Sequence, residues 1–405
     1  MRPKIIVVGC GVVGAVVAYE LSRQIAAEIV VLDRRSPAQG STGAALGVLM
    51  GIISGRVKGR TWRLREASIN RYHSLIQELA EAGESVPFND QGLVSLCFDE
   101  EKLPRWQTLK EKRQAQGYPL EIWTPQTLQL RCPHIDLESS VESDLEPSST
   151  ELRTVKAAIY SPMDAQVHSV DLTQALVRVA TASGVNFIQN AEVTQLVMDG
   201  PRCVGVQTTQ GNFEADWVVL SAGLGSAALT RVGPERVGPE TATQVSEPLD
   251  LMPVLGQAME IQLPEVLGHA DFQPVINGDD IQFVPLGEGR YWLGATVEFP
   301  PEEWLAHKEA YGGNADNLFA AEAEGLANLG RGAERFCSAV SQAKVLNTWS
   351  GLRPRPVGQP APVIKPLGTT ANVTLATGHY RNGVLLAPAT ALQVCELLRA
   401  NALFS

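Results

Sequence analysis

"KIIVVGCGVVGAVVAYELSRQIAAEIVVLDRR", residues 4–35, decides the fold of this chain. Ile5 to Val8 is a short β-branched run that reads as a fully buried parallel strand, and Val13 to Arg23 reads as a helix. Between them Gly9, Gly11 and Gly14 have the GxGxxG spacing. Gly9 permits a tight turn, Gly11 lets backbone approach a pyrophosphate, and Gly14 lets helix pack closely on strand. The helix start offers free N–H groups, those of Val12 and Val13 among them, and the positive end of its dipole. "EIVVLD" follows as a second buried strand ending in Asp33, about 20 residues on, where a carboxylate accepts hydrogen bonds from a ribose hydroxyl pair.

Alone, the glycine spacing fits an unliganded turn equally well. With strand, helix, second strand and terminal acid all in place, it reads as a dinucleotide site. An acid at Asp33 disfavours a 2'-phosphate, so NADP does not fit, while FAD and NAD both stay open.

Working outward, 405 residues favour two domains over one core, and 44% hydrophobic with 19% charged residues is ordinary for a folded globular chain. The formal net charge of -11 argues against nucleic acid or an anionic membrane surface as partner. Cys10, Cys97, Cys132, Cys203, Cys337 and Cys395 are scattered singly, with no metal-ligand spacing to the six histidines, and read as reduced and mostly buried. Arg2 and Lys4 before an apolar run resemble a secretory signal, but the patterned glycines and the lack of a cleavage site oppose that reading. No stretch reaches the roughly 20 apolar residues of a membrane span. A cytoplasmic location is the default expectation.

After Asp33 comes "RRSPAQGSTGAALGVLMG", whose Ala44 to Met50 is too apolar for a solvated linker and suits close approach to a flat ligand. A helix is expected from Trp62 to Ala82, with Ile69, Tyr72, Ile76 and Leu79 as a core-packing stripe. Further on, "LVSLCF" reads as a strand, "TPQTLQL" as a helix capped by Thr124, and "SVDLTQALVRVATASG" as a helix closed by Gly184. "WVVLSAG" is a buried strand ending in Ala222 and Gly223, fitting a return to the nucleotide sheet. The tandem "RVGPERVGPE", residues 231–240, reads as a surface loop at a domain boundary. "VLGQAMEIQL", "DIQFVPL" and "RYWLGATVEF" read as strands of a mixed or antiparallel sheet, closed by a helix from Asn314 to Leu329.

These residues carry a family resemblance. "VVGCGVVGAVVAYEL", "TGAALGVLMG", "VVLSAG", "PVLGQAMEI", "RYWLGAT", "WSGLRP" and "TGHYRNGVLLAPATA", in this order, resemble the FAD-dependent oxidoreductases of the D-amino acid oxidase superfamily, glycine oxidase above all. The resemblance implies an α/β fold: a Rossmann-type FAD-binding domain in three pieces (1–84, 151–240 and 341–405). A discontinuous α+β substrate domain on a mixed or antiparallel sheet (85–150 and 241–340) would complete it. It also implies FAD rather than NAD, and an amino acid or amine substrate whose α-hydrogen passes as hydride to flavin N5. Oxygen, giving peroxide, or another electron acceptor would reoxidise the flavin.

Carried over by position, the implied cofactor contacts are Gly9, Gly11, Val12, Val13, Gly14, Asp33, Arg34, Ser41, Thr42, Ala45, Gly47, Val48, Val193, Ala222 and Gly223. From the C-terminal segment come Arg353, His379, Arg381, Asn382, Gly383, Val384 and Leu385. Arg353 and Arg381 are the candidates to hold a substrate carboxylate, arginine being suited to bidentate binding in a desolvated pocket, with Arg355 a competitor. The helix starting near Gly383, Val384 and Leu385 would place its positive end at the flavin pyrimidine edge. His379 is expected to pack and hydrogen-bond rather than act as base. No GxSxG or HExxH motif is present and no metal is expected.

The sequence departs from the family in two places. Relatives acting on glycine carry a tyrosine on the strand before GAT, where this chain has Gln282, and "RPVGQPAP" replaces an Asp-containing turn after GLRP. Other readings therefore stay open: an amine, D-amino acid or proline dehydrogenase passing electrons to a quinone, and a non-catalytic FAD-binding protein. The acidic charge counts against a tRNA-modifying relative. Covalent flavin attachment through a cysteine is not expected, and a homo-oligomer is not readable from the sequence.

Overall fold

The computed structural model describes residues 2–142, 150–231, 249–301, 322–368, 370–401 and 403–404. Two sheets dominate. One has six strands in the order Asn186–Ile188, Glu28–Leu32, Lys4–Val8, Trp217–Leu220, Val373–Thr377, Val363–Pro366. Its first five strands run parallel and the last is antiparallel. The valine- and isoleucine-rich runs are what such a sheet requires, because its strands are covered on both faces. Ile5, Ile6 and Val7 are fully buried.

Helix α1 (Val12–Gln24) starts one residue before the expected Val13 and ends one after Arg23. It is apolar nearly all round because the sheet lies on one side and the C-terminal helix on the other. Helix α2 (Gly59–Glu81) buries Ile69, Tyr72 and Leu79 as expected, with Leu75 in place of the half-buried Ile76. Helix α3 (Ser169–Ala182) ends at Gly184, whose φ of 93° supplies the left-handed stop. Helix α4 (Gly383–Arg399) follows the Tyr380–Asn382 turn. The Tyr72 hydroxyl donates to the Val384 carbonyl, and the Ala389 amide donates to Ser68 Oγ. The stripe on α2 thus also fixes α4, which core packing alone does not describe.

The second sheet has eight strands in the order Lys344–Pro356, Leu251–Gln262, Arg290–Gly294, Ile281–Gly287, Val275–Gly278, Leu93–Cys97, Ala157–Ser161, Glu121–Trp123. Only the Val275–Gly278 and Leu93–Cys97 pair is parallel. The α/β fold with a separate mixed sheet is therefore present. The expected partition at 150 and 340 differs from sheet membership, since Ala157–Ser161 and Lys344–Pro356 both bond into the eight-stranded sheet. We propose that the substrate-domain pieces reach to about Ser161 and Pro356. The helix expected from Asn314 runs from Ala323 to Glu334, five residues beyond Leu329, and residues 314–321 lie outside the described residues. So do residues 232–240 of the tandem repeat. The six cysteines are buried free thiols. Among the described residues no helix is long and apolar enough to cross a membrane.

Between the sheets, residues 50–57 are held from two sides. Asp164, fully buried, accepts at Oδ1 from the amides of Gly51 and Ile52, both at 2.7 Å, and at Oδ2 from Ile53 at 2.8 Å. Arg113, also fully buried, takes the carbonyls: Nε donates to Ile52 at 2.7 Å, and Nη2 to Ser54 at 2.9 Å and Arg56 at 3.0 Å. Its guanidinium stacks 3.5 Å from the centroid of the Trp62 ring. Burial pulls the Arg113 pKa down to about 10, which leaves it charged at neutral pH. Arg113→Met would strand three carbonyls, and an expected loss of about 3 kcal/mol follows from the cost of unpaired buried groups. Urea unfolding with an unchanged m-value checks it; a loss under about 1 kcal/mol would show that water replaces the guanidinium.

Candidate active site

The GxGxxG turn is built as its spacing predicts. Gly9 has φ 100°, and a Cβ there would lie 2.7 Å from the Ser221 carbonyl oxygen. A Cβ on Gly14 would lie 1.9 Å from the Gly9 carbonyl oxygen, so the helix rests on the strand only because that atom is missing. At Gly11 a Cβ would meet Thr42 Oγ1, at 3.0 Å. The α1 start is capped from outside the helix: the Val12 amide donates to Thr42 Oγ1 at 3.0 Å. Val13 and Gly14 come next, with amides that have no acceptor within the helix.

Asp33 stands just beyond its strand. Its Oδ2 accepts from the Cys10 amide at 2.6 Å and its Oδ1 from the Arg35 amide at 2.8 Å. A carboxylate has about four acceptor positions, so both oxygens keep capacity for a ribose hydroxyl pair. The Ala191 amide donates to the Asp33 carbonyl and brings Val193 near this end of the sheet. Arg34 faces Glu192 at 4.0 Å. Ala222 and Gly223 follow the Trp217–Leu220 strand, and the Gly223 carbonyl accepts from Thr377 Oγ1 at 3.1 Å. A nucleotide cofactor fits this cradle of glycine backbone, uncapped amides and a carboxylate with spare lone pairs.

The 41–48 loop runs from there across the eight-stranded sheet. Ser41 Oγ donates to the Leu352 carbonyl at 2.6 Å, and Ser169 Oγ donates to the carbonyls of Thr42 and Ala45. Val48 pairs with Gln166. Gly47 has φ 72°, and a Cβ there would lie 1.8 Å from the Val167 carbonyl oxygen. The close approach demanded of this glycine is thus to the protein's own backbone.

Registers show which face of the eight-stranded sheet meets this loop. Gln282 stands opposite Gly294, Gly294 opposite Ala258, and Ala258 opposite Trp349. Cross-strand partners share a face and side chains alternate, so Trp349, Gly351 and Arg353 also lie on it. Trp349 Nε1 donates to the Ala44 carbonyl at 3.2 Å, and a Cβ on Gly294 would touch Leu46. Arg353 lies across Gly256, where a Cβ would be 2.1 Å from Nη2. Its Nη1 donates to the carbonyls of Leu255 at 2.9 Å and Thr296 at 3.0 Å, while Nη2 and Nε have no acceptor among the described residues. Burial and the charge of Arg381 push the Arg353 pKa down, and Tyr380 and the Glu298 carboxylate oppose them only in part. It is a desolvated cation beside a second cation.

Arg381 itself is more exposed and has Asp280 Oδ1 3.9 Å from its Nη2. Arg355 is engaged elsewhere, its guanidinium 5.1 Å from the Phe299 ring centroid and 5.7 Å from that of Tyr380. His379 is buried, with Nε2 2.8 Å from Thr390 Oγ1. The threonine hydroxyl has one proton and gives it to the Leu386 carbonyl at 2.8 Å, so His379 Nε2–H is the donor. Burial, with the nearby charge of Arg60, lowers the His379 pKa to about 3. Asn382 Oδ1 accepts from Arg65 Nη2 at 3.0 Å. Gly383, Val384 and Leu385 form the first turn of α4.

Arg65 and Ser221 belong to this architecture and escape a reading of the sequence. Arg65 donates to the Met50 carbonyl as well as to Asn382, joining α2 to two loops, yet in sequence it resembles the solvated side of an amphipathic helix. Ser221 Oγ lies 2.9 Å from the Val8 carbonyl and 3.2 Å from that of Gly9, which ties two strand ends together under the turn. "VVLSAG" was the available signal.

Known proteins share this fold. The FAD dependent oxidoreductase family, DAO, matches residues 4–397. The glycine oxidase of Geobacillus kaustophilus is 25% identical, covering 98% of this chain and 93% of its own. The bifunctional protein ThiO/ThiG of Trichormus variabilis is 27% identical over 98% of this chain but 53% of its own, so the chain spans about half the length of that relative. Among crystal structures, that of glycine oxidase from Geobacillus kaustophilus superposes with a TM-score of 0.79 at 24% identity, covering 100% of this chain and 97% of that one. L-proline dehydrogenase from P. horikoshii superposes with a TM-score of 0.77 at 18% identity, covering 98% and 94%. With a family match over nearly its whole length and a nucleotide cradle and sheet of the same fold, the chain belongs to the FAD-dependent oxidoreductases of the DAO family.

Proposed function

We propose that this protein oxidises the C–N bond of a small amino acid or amine to an imine that hydrolyses in water. The observation that carries the reading is Arg353: a desolvated guanidinium on the sheet face that meets the 41–48 loop, anchored through Nη1 by two carbonyls and open at Nη2 and Nε. Such a group binds a carboxylate in two-point geometry, which fixes the orientation of the α-carbon. The names of the glycine oxidase relatives support the same substrate class.

FAD, when bound, supplies the acceptor for the two electrons and the α-hydrogen. Gly9, Gly11, Val12, Val13, Gly14 and Thr42 would hold its phosphates and Asp33 its ribose; Arg34, Val193, Ala222 and Gly223 would border that end. Ser41, Ala45, Gly47, Val48, Asn382 and the α4 amides at Gly383, Val384 and Leu385 would border the ring. Arg353 holds the substrate carboxylate and excludes water from it, while Arg381 adds positive potential that Asp280 partly offsets. His379 is not a base in this scheme, because its ring is buried against Thr390 and its lowered pKa makes it a weak proton acceptor. Oxygen is the proposed final electron acceptor, with peroxide as product.

The first test is the visible spectrum of the purified holoprotein under anaerobic conditions as glycine, sarcosine, proline and both enantiomers of other amino acids are added. Bleaching of the flavin by one of them is expected, and a spectrum that none changes overturns the reading. Peroxide formation on readmitting air separates an oxidase from a dehydrogenase. Arg353→Met is expected to retain flavin and to raise the substrate concentration for half-maximal reduction 100-fold or more, about 3 kcal/mol at about 1.4 kcal/mol per factor of ten. An unchanged value removes Arg353 from the carboxylate role.

His379 gives a separate prediction in pH. Its folded pKa of about 3 lies below the ordinary histidine value of about 6.5, so the unfolded chain binds the extra proton first as pH falls. Stability from this group is full above about pH 6.5 and declines down to about pH 3, by at most about 1.4 kcal/mol per pH unit. His379→Asn should flatten the dependence of Tm on pH within that window alone. Superimposable pH profiles for the two proteins would show that the ring is not held neutral.

A further inference from the structure

On the sheet face that carries Arg353, Gln282 presents a hydrogen-bond acceptor. Gln282 lies on the same sheet face as Arg353, at the open end of a polar row: Asn277 Nδ2 donates to Ser95 Oγ at 2.9 Å, and Gln282 Nε2 donates to Asn277 Oδ1 at 2.6 Å. The registers place Ser95, Asn277 and Gln282 side by side on three adjacent strands. With one N–H of its amide committed to this row, Gln282 has Oε1 left over, and that oxygen is buried without a hydrogen-bond partner among the described residues. A buried carbonyl oxygen without a donor is destabilising, and a site that contains one favours any ligand that supplies the missing proton. An amide oxygen cannot give a proton to a ligand; it can only receive one.

The surroundings have the same sign. Two residues earlier, Asp280 presents an exposed carboxylate that already faces Arg381. The residues opposite Gln282 across the sheet, Gly294 and Ala258, are small, and Leu46 roofs Gly294. The Arg353 guanidinium rests over Gly256, two strands and two residues from Gln282, which is about 10 Å across the sheet and about 7 Å along it.

Resting on the amino acid oxidation proposed above, we propose that the substrate carries, at the end away from its carboxylate, a hydrogen-bond donor received by Gln282 Oε1. A side-chain hydroxyl or carboxamide N–H is the class of group that fits. Gln282 is then a specificity-determining residue and Asn277 the residue that positions it, by keeping its N–H group turned away from the substrate.

The test is anaerobic reduction of the holoprotein's flavin by matched pairs: serine against alanine, and asparagine against leucine, as both enantiomers, with aspartate as the acceptor-bearing control. The expected result is a second-order rate constant at least about tenfold higher for the donor-bearing member of a pair, with aspartate slower than asparagine. In Gln282→Leu, with its flavin absorbance intact, the ratio should fall to within about threefold of unity. Equal rates within pairs, a preference for aspartate, or a ratio unchanged in Gln282→Leu overturns the proposal while leaving amino acid oxidation standing. Should Gln282→Leu fail to fold, the pair ratios of the unaltered protein and of Asn277→Leu decide it, the latter expected to lose selectivity as Gln282 becomes free to turn. Absence of reduction by any of these compounds or by glycine, sarcosine and proline defeats both readings together.

Discussion

The contact between Gly14 and the carbonyl of Gly9 sets the rest of the molecule. With 1.9 Å between that oxygen and the place of a Cβ, any side chain at residue 14 would lift α1 from the sheet. Because α1 sits down, its first amide reaches Thr42, and Thr42 in turn begins the loop that crosses to the second sheet. On the other side of α1 packs α4, whose first turn follows the Arg381 and Asn382 step. A backbone approach near the N-terminus thus controls where the C-terminal segment ends up. No long-range attraction is needed, only apolar surfaces that fit when the helix is close.

The eight-stranded sheet contributes something different, a floor. Strand alternation puts Trp349, Gly351 and Arg353 on one face, and glycines at 256, 294 and 351 keep that face low enough for the 41–48 loop and the arginine to lie on it. Gly351 would collide with Ala44 if it carried a Cβ, and Gly256 with Arg353 itself. The missing side chains therefore make the space in which a cation can be buried without being crowded. Asp164 and Arg113, each fully buried, set the neighbouring 50–57 segment with backbone hydrogen bonds from opposite sides, so the wall beside that floor is fixed at the level of the main chain.

Much of this was legible in the residues. The alternation of strand, glycine turn, helix, strand and acid is a local pattern, and Gly9, Gly14 and Asp33 stand where it places them. Gly47 was legible as a close approach but not in its object, which is the Val167 carbonyl. Arg65 and Tyr72 were legible only as parts of an amphipathic helix. Their partners Asn382 and Val384 lie more than 300 residues away, and periodicity marks which face is buried without naming what covers it. The same holds for Gln282, whose type is plain in the sequence while the commitment of its N–H to Asn277 comes from a strand pairing.

Electrostatics then connects the two arginines. A guanidinium removed from water beside a second positive charge is destabilised, as the lowered pKa of Arg353 expresses. Two backbone carbonyls stabilise part of the fork, and Asp280 attends to Arg381 rather than to Arg353. Positive potential is therefore left where the fork is open, and an anion that enters relieves both the desolvation and the repulsion, in a medium of low dielectric where the attraction is strong. The same medium makes the unpaired Gln282 oxygen costly, at the other end of the same face. A ligand that is an anion at one end and a proton donor at the other relieves both strains at once, and in doing so its length fixes the carbon between them.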